Sequence, residues 1–174
     1  MKGSWAPLVV AIALSGASAR AGAEMSYRVF TTDNGLPQNS VWAIDQTPDG
    51  YLWVSTFDGL VRFDGHRMTV FNRAEVPELR SNRILALRVD REGSLWIGTE
   101  DGGVTRMTDG RFRSFGAADG VPDSQVGAIQ EDGTGRLWIV SHRGLARFDG
   151  ERWSTPDEAV PRSGESLTVY AVAL

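Results

Sequence analysis

The sequence predicts an all-β chain made of repeated four-stranded antiparallel units. Three observations carry that prediction. The triplets Leu52-Trp53-Val54, Leu95-Trp96-Ile97 and Leu137-Trp138-Ile139 recur, with the tryptophans 43 and then 42 positions apart. Each triplet is followed by a Gly-containing break, an apolar run and an Asp-Gly pair, at Asp64-Gly65, Asp109-Gly110 and Asp149-Gly150. Short strands separated by Gly-rich turns at a period of ~40–45 residues mark β-propeller blades. A closed ring needs about four to eight blades. About three are legible here, so the expected architecture is an incomplete ring.

The elements follow in chain order. Residues 1–23 read as a secretory signal: Lys2 gives a positive start, Pro7 to Leu14 is a short apolar stretch, and Ala21-Gly22-Ala23 is a small-residue cleavage site. The apolar stretch is too short to span a bilayer, and no later run is longer. Residues 24–154 then form the partial propeller. Residues 27–30 (Tyr27-Arg28-Val29-Phe30) stand five residues before Gly35-Leu36-Pro37, as Phe115 stands five before Gly120-Val121-Pro122. They align with the fourth strand of a blade and form an orphan outer strand of the kind that closes a ring.

The first blade spans 41–71. Val41-Trp42-Ala43-Ile44 is its first strand. Pro48-Asp49-Gly50 is a turn, with Gly available for positive φ. Tyr51-Leu52-Trp53-Val54-Ser55 is rich in aromatic and β-branched residues. Leu60-Val61-Arg62-Phe63, Asp64-Gly65 and Met68-Thr69-Val70-Phe71 complete two more strands and their hairpin. The second blade, 84–115, repeats this order from Ile84 to Phe115. The third, 126–154, repeats it from Val126 to Ser154, with a slightly longer first turn, Glu131 to Gly135. Residues 155–174 are expected to open a fourth blade, because Thr168-Val169-Tyr170-Ala171-Val172 resembles Ser40-Val41-Trp42-Ala43-Ile44. Three blades leave two apolar flanks bare, so the chain by itself is expected to be poorly soluble or to self-assemble.

Trp53, Trp96 and Trp138 occupy one strand position in every copy. Each is expected to be structural core, wedged between neighbouring sheets. Trp42 stands where the other copies carry Leu85 and Gly127; core packing is the expectation there, and a ring facing the central channel to touch a ligand is the alternative.

Composition excludes several functions. The chain has no cysteine, so export brings no disulfide framework. Its 18 basic residues face 22 acidic ones, for a formal charge of −4. An acidic chain without a basic run is not a nucleic-acid binder and does not suit anionic membrane surfaces. No phosphate loop, nucleophile elbow or calcium-loop spacing is present. The two histidines, His66 and His142, lie in different repeats, and no metal, cofactor or catalytic residue is assigned.

The string Gly35-Leu36-Pro37-Gln38-Asn39-Ser40-Val41, leading through Gly50-Tyr51-Leu52-Trp53-Val54-Ser55-Thr56 to Asp58-Gly59-Leu60-Val61-Arg62-Phe63, closely resembles the two-component regulator propeller repeat. Leu95-Trp96-Ile97-Gly98-Thr99 with Asp101-Gly102-Gly103-Val104 resembles it again. The third copy departs, with Val140-Ser141 where the family favours Gly-Thr. The resemblance covers residues 27 to 154. It implies the periplasmic sensor region of a bacterial receptor, non-catalytic itself. In such receptors further blades, a β-sandwich and a transmembrane helix lead to a histidine kinase or diguanylate cyclase. It implies an oligosaccharide or other small ligand, and the remaining blades of the same receptor as partner. The alternatives are a segment of a secreted propeller lyase or hydrolase, or a protein-binding scaffold.

Loops on a rigid scaffold are where a ligand binds. The fourth-to-first and second-to-third connections share one edge of a propeller. They hold Asn34, Gln38, Asn39, Asn82, Arg83, Gln125, His142 and Arg143, which are the candidate ligand-binding residues.

Overall fold

The computed structural model describes residues 28–156. The signal segment, Tyr27 and residues 157–174 of the expected fourth blade lie outside the described residues.

Twelve strands form three antiparallel sheets of four among the described residues. The first contains β1 (Val41–Gln46), β2 (Leu52–Thr56), β3 (Gly59–Phe63) and β4 (Met68–Phe71). The second contains β5 (Ile84–Val89), β6 (Leu95–Thr99), β7 (Val104–Thr108) and β8 (Arg111–Phe115). The third contains β9 (Val126–Glu131), β10 (Leu137–Ser141), β11 (Gly144–Phe148) and β12 (Trp153–Ser154). In each sheet the strands lie in chain order. The first strands are neighbours, β1 beside β5 and β5 beside β9, so they form the inner edge of the array. This is the propeller-blade architecture, with no closed ring among the described residues.

Each inner strand meets its neighbour through an irregularity in register, between Val41 and Ile44, between Ile84 and Ala86, and opposite Val140 and Ser141. A bulge adds local twist, and here it recurs at one place in all three blades. The next hairpin is tied by a side chain. Thr56 Oγ1 donates to Gly59 O at 2.8 Å and Thr99 Oγ1 to Gly103 O at 3.0 Å. In the departing third copy Ser141 Oγ donates to Gly144 O at 2.9 Å. The hydroxyl is what the turn requires, and Ser supplies it as well as Thr.

Two clusters bury the blade faces. Between blades 1 and 2, Trp53 and Leu60 meet Leu87, Leu95, Ile97 and Met107. Between blades 2 and 3, Ala86, Trp96, Val104 and Phe115 meet Ile129, Leu137, Ile139 and Phe148. Trp53 and Trp96 are buried. Trp138 is only half-buried, because its face of blade 3 has no further blade against it among the described residues. Trp42 corrects the core expectation. It is 56% exposed, with its ring 4.9 Å from Phe57. It sits in the bulged stretch of β1, beside the β2–β3 turn.

Residues 28–30 form no strand. An outer strand needs a third strand of its own sheet to pair with, and none is described there. Phe30 nevertheless packs edge-on against Phe63, with ring centroids 5.0 Å apart.

Candidate functional site

The candidate residues lie on four connections along one edge of the array, before β1, β5 and β9 and between β10 and β11. One main-chain bond, made at both seams, ties the second-to-third turn of a blade to the loop before the next blade. Gly59 N donates to Asn82 O at 2.9 Å, and Gly103 N donates to Ser124 O at 2.8 Å. Gly103 has φ +81°, and an added Cβ would lie 2.5 Å from Phe115 O. Only glycine permits both the left-handed backbone and that approach.

The loop before β1 uses its polar side chains internally. Asn34 Nδ2 donates to Val29 O at 2.9 Å, and its Oδ1 accepts from Thr31 N at 2.7 Å. Asn39 Oδ1 accepts from Thr32 N at 2.8 Å, and Gln38 Oε1 from Ser40 N at 3.3 Å. Asn34 and Asn39 hold loop shape rather than standing free for a ligand.

The loop before β5 divides its two candidates. Asn82 Oδ1 accepts from Arg73 N at 2.7 Å, so it is structural. Arg83 is exposed and ion-paired with Glu100. Its guanidinium lies 4.2 Å from the Phe57 ring centroid. Arg83, Phe57 and Trp42 therefore form a continuous cation–aromatic surface at the rim of blade 1.

The loop before β9 and the turn between β10 and β11 bring a second group together. Arg143 Nε lies 3.6 Å from Asp123 Oδ2, and Asp123 Oδ1 accepts from Gln125 N at 3.3 Å. Gln125 and His142 are exposed, and their side chains make no hydrogen bond among the described residues. The eight candidates thus share an edge but not a pocket. A cleft of about 750 Å³ lies between blades 2 and 3 at the opposite edge, lined by Arg91, Glu92, Glu131, Arg136 and Asp149 among others. None of the eight candidates lines it.

A structural device on that opposite edge escaped the sequence reading. Each central-strand tryptophan donates its indole N–H to the residue six positions before it. Trp53 reaches Thr47 Oγ1 at 2.9 Å, Trp96 reaches Asp90 Oδ2 at 2.7 Å, and Trp138 reaches Asp132 Oδ2 at 2.9 Å. The carboxylates also accept turn N–H groups, from Ser94 at 2.8 Å and from Thr134 at 2.8 Å. The Thr134 hydroxyl, the Trp138 indole and the Arg136 N–H hold the Asp132 carboxyl well below the usual carboxylate range. The Asp-Gly hairpins act alike. The N–H groups of Arg67 and His66 lower Asp64, and those of Arg152 and Glu151 lower Asp149. The legible signal was the constant six-residue spacing from Thr47, Asp90 and Asp132 to a tryptophan.

Known proteins share these repeats. The two-component regulator propeller family matches residues 35–58, 78–101 and 120–143. A histidine kinase of Formosa agariphila is 47% identical over 45 residues, which is 26% of this chain and 3% of that protein. Among solved structures, the extracellular domain assigned to a hybrid two-component system of B. thetaiotaomicron superposes with a TM-score of 0.64 at 26% identity. That match covers 78% of this chain and 19% of the other. Virginiamycin B lyase of Staphylococcus aureus superposes with a TM-score of 0.58 at 15% identity, over 75% of this chain and 44% of the lyase, a likeness of fold alone. The chain thus spans only a small part of its sensor relatives. Three repeats in one register, each folded as a four-stranded blade, place this chain in the two-component regulator propeller family.

Proposed function

We propose that this chain is an exported, non-catalytic sensing segment of a bacterial signal-transduction receptor, acting with further blades of that receptor. The observation that carries the reading is the loop edge. There the rigid blades present the exposed groups Arg83, Gln125, His142 and Arg143 together with the aromatic rings of Trp42 and Phe57. The extracellular placement of the superposing sensor domain supports export. Among the described residues no helix is long and apolar enough to cross a membrane. Signal transfer to a histidine kinase or diguanylate cyclase belongs to the rest of such a receptor.

The chemistry of the edge suits an oligosaccharide. Sugar hydroxyls accept from guanidinium and amide donors, and the apolar face of a pyranose stacks on exposed aromatic rings. The test is a thermal-shift screen of the chain against neutral and acidic oligosaccharides. A specific binder should raise Tm with saturating dose dependence, and Arg83→Ala or Arg143→Ala should abolish the shift. A binder whose effect survives both substitutions would remove this edge as the site.

A further inference from the structure

We propose that the outer rim of blade 2 is a binding site for a sulfate or phosphate monoester, held by Arg106, Arg111 and Arg113. The site lies away from the loop edge and does not depend on the sensing role.

The repeat register isolates what is peculiar to blade 2. Its third-to-fourth hairpin pairs Arg106 with Arg113, Met107 with Phe112 and Thr108 with Arg111. In blade 1, Arg62 pairs with Thr69 and Phe63 with Met68, and Asp64 N donates to Arg67 O. In blade 3, Arg147 pairs with Ser154 and Phe148 with Trp153, and Asp149 N donates to Arg152 O. Two arginines of the hairpin therefore recur in every blade. The third-strand arginine has a structural use throughout. Arg62, Arg106 and Arg147 lie 4.6, 5.2 and 5.8 Å from the ring centroids of Tyr51, Trp96 and Trp138. Blade 2 departs at two other places. Thr108 stands where its neighbours carry Asp64 and Asp149, and Arg113 stands where they carry Thr69 and Ser154. The Asp-Gly pair has moved one position on, to Asp109 (φ +51°) and Gly110 (φ +74°), the central residues of a tight two-residue turn. An acid has left the row and a base has entered it.

Directly opposed residues share a face of a sheet, and so do alternate residues of a strand. Trp96 is opposite Arg106, Arg106 is opposite Arg113, and Arg111 lies two residues from Arg113. All three arginines thus rise from the face of blade 2 that carries Trp96 and Phe115. Like charges directly opposite one another destabilise a sheet, and little here offsets them. Arg106 Nη2 donates to Ser94 Oγ at 2.8 Å and lies 3.3 Å from Glu92 Oε2. Its Nε is buried with no hydrogen-bond partner among the described residues, so turning the guanidinium toward a ligand gives up no bond at that atom. Arg111 and Arg113 are exposed and form no ion pair among the described residues. The Arg113 guanidinium lies 4.8 Å from the Phe115 ring centroid. A depression of about 550 Å³ is lined by the three arginines with Thr108, Asp109 and Phe112. Asp109 is the one acid among these, and Thr108 adds a hydroxyl 2.9 Å from Ser94 Oγ. A tetrahedral oxyanion suits this set. A planar carboxylate is matched by a single guanidinium fork, whereas the terminal oxygens of a sulfate or phosphate ester accept from several forks at once.

Calorimetric titration of the full chain with glucose 6-phosphate, glucose 6-sulfate and glucose, at constant ionic strength, tests the site. At least one ester should bind saturably and glucose should not. The tighter of the two esters identifies the natural source of the oxyanion. Arg113→Thr and Thr108→Asp each restore the residue that blade 1 carries at that place, so far-ultraviolet circular dichroism should be unchanged in both. Each should weaken ester binding by about tenfold or more, the worth of one charge-assisted hydrogen bond. Arg67→Ser, at the blade 1 counterpart of Arg111, should bind as the unmodified chain does. The proposal fails if neither ester saturates, if glucose binds as the esters do, or if either blade 2 variant keeps its affinity. An equal loss in Arg67→Ser would assign the binding to overall charge and overturn it as well.

Discussion

The seam between blades 1 and 2 and the seam between blades 2 and 3 use one register and different materials. The first is mainly aliphatic: Trp53 is wedged among Leu60, Leu79, Ile84, Leu87, Leu95 and Ile97. The second is an aromatic cluster. The Trp96 ring lies 4.9 Å from Phe148, 5.6 Å from Trp153 and 5.7 Å from Phe115. Their polar fastenings differ too. At the first seam Val89 N donates to Asp45 Oδ2 at 2.7 Å. At the second, Arg91 N donates to Glu131 Oε2 at 3.1 Å, and Arg91 Nε lies 2.6 Å from Glu131 Oε1. The lesson is that the repeat fixes where blades touch and leaves each seam to find its own chemistry. Glycine use follows the same logic. Gly98 allows β9 to approach so closely that an added Cβ would lie 2.7 Å from Val126 O, and Ser55 fills that place at the first seam.

Truncating the wedges should separate the seams most sharply. Trp96→Ala should cost about 4 kcal/mol of unfolding free energy, since it empties the middle of the aromatic cluster. Trp53→Ala should cost about 3 kcal/mol. Trp138→Ala, on a half-open flank, should cost about 1 kcal/mol in the single chain. Urea titrations followed by circular dichroism measure all three, and equal losses would show that the seams are energetically alike.

A gentler change probes the close approach at the second seam. Gly98→Ala should destabilise by about 1–3 kcal/mol, because backbone rather than a mobile side chain faces the new methyl group. Ser55→Ala inserts nothing. It should cost the two bonds in which Ala43 N donates to Ser55 Oγ at 2.7 Å and Ser55 Oγ donates to Ala43 O at 3.3 Å, about 1 kcal/mol. If Gly98→Ala were neutral, the second seam would have slack at odds with the close approach of the Val126 carbonyl.

Glu131→Gln tests the polar fastening. The Glu131 side chain is only 7% exposed, while its partner Arg91 is 55% exposed. The neutral amide keeps the acceptor but loses the charge, so a loss of about 1 kcal/mol is expected, falling as salt rises. A loss that ignores salt would assign the effect to shape rather than to charge.

The smallest expected effect concerns acid. The folded state lowers Asp132 below its ordinary 3.8, so the ionised form is favoured by folding. Its contribution is complete above that value and fades as pH falls below it. Asp132→Asn should therefore reduce stability at neutral pH and flatten the loss of stability below about pH 4. Parallel acid-unfolding curves for the two proteins would show that Asp132 contributes no such linkage.

Much of this was readable beforehand. The three apolar triplets, the Asp-Gly hairpins and the alternating third strands placed every sheet, because strand pairing at short range follows from local pattern. The Gly35-Leu36-Pro37 string and its echoes pointed to the family. The candidate site was legible only as an edge. That Asn34, Asn39 and Asn82 are spent on backbone groups depends on how each loop closes, and side-chain chemistry alone does not reveal it. Asp90 and Asp132 were overlooked because an aspartate in a turn has an ordinary explanation, and its bond to a tryptophan six residues on appears only when the hairpin folds.

By itself the sequence determined the repeat, the strand order, the turns and the wedge position, since these follow from polarity patterns and backbone freedom within about forty residues. Only the tertiary structure decided that Trp96 is sealed while Trp138 and Trp42 are not, and that Phe30 lies on Phe63. Burial depends on which sheet stands opposite. That neighbour is set by the stacking of blades, a relation between distant segments that no single repeat encodes.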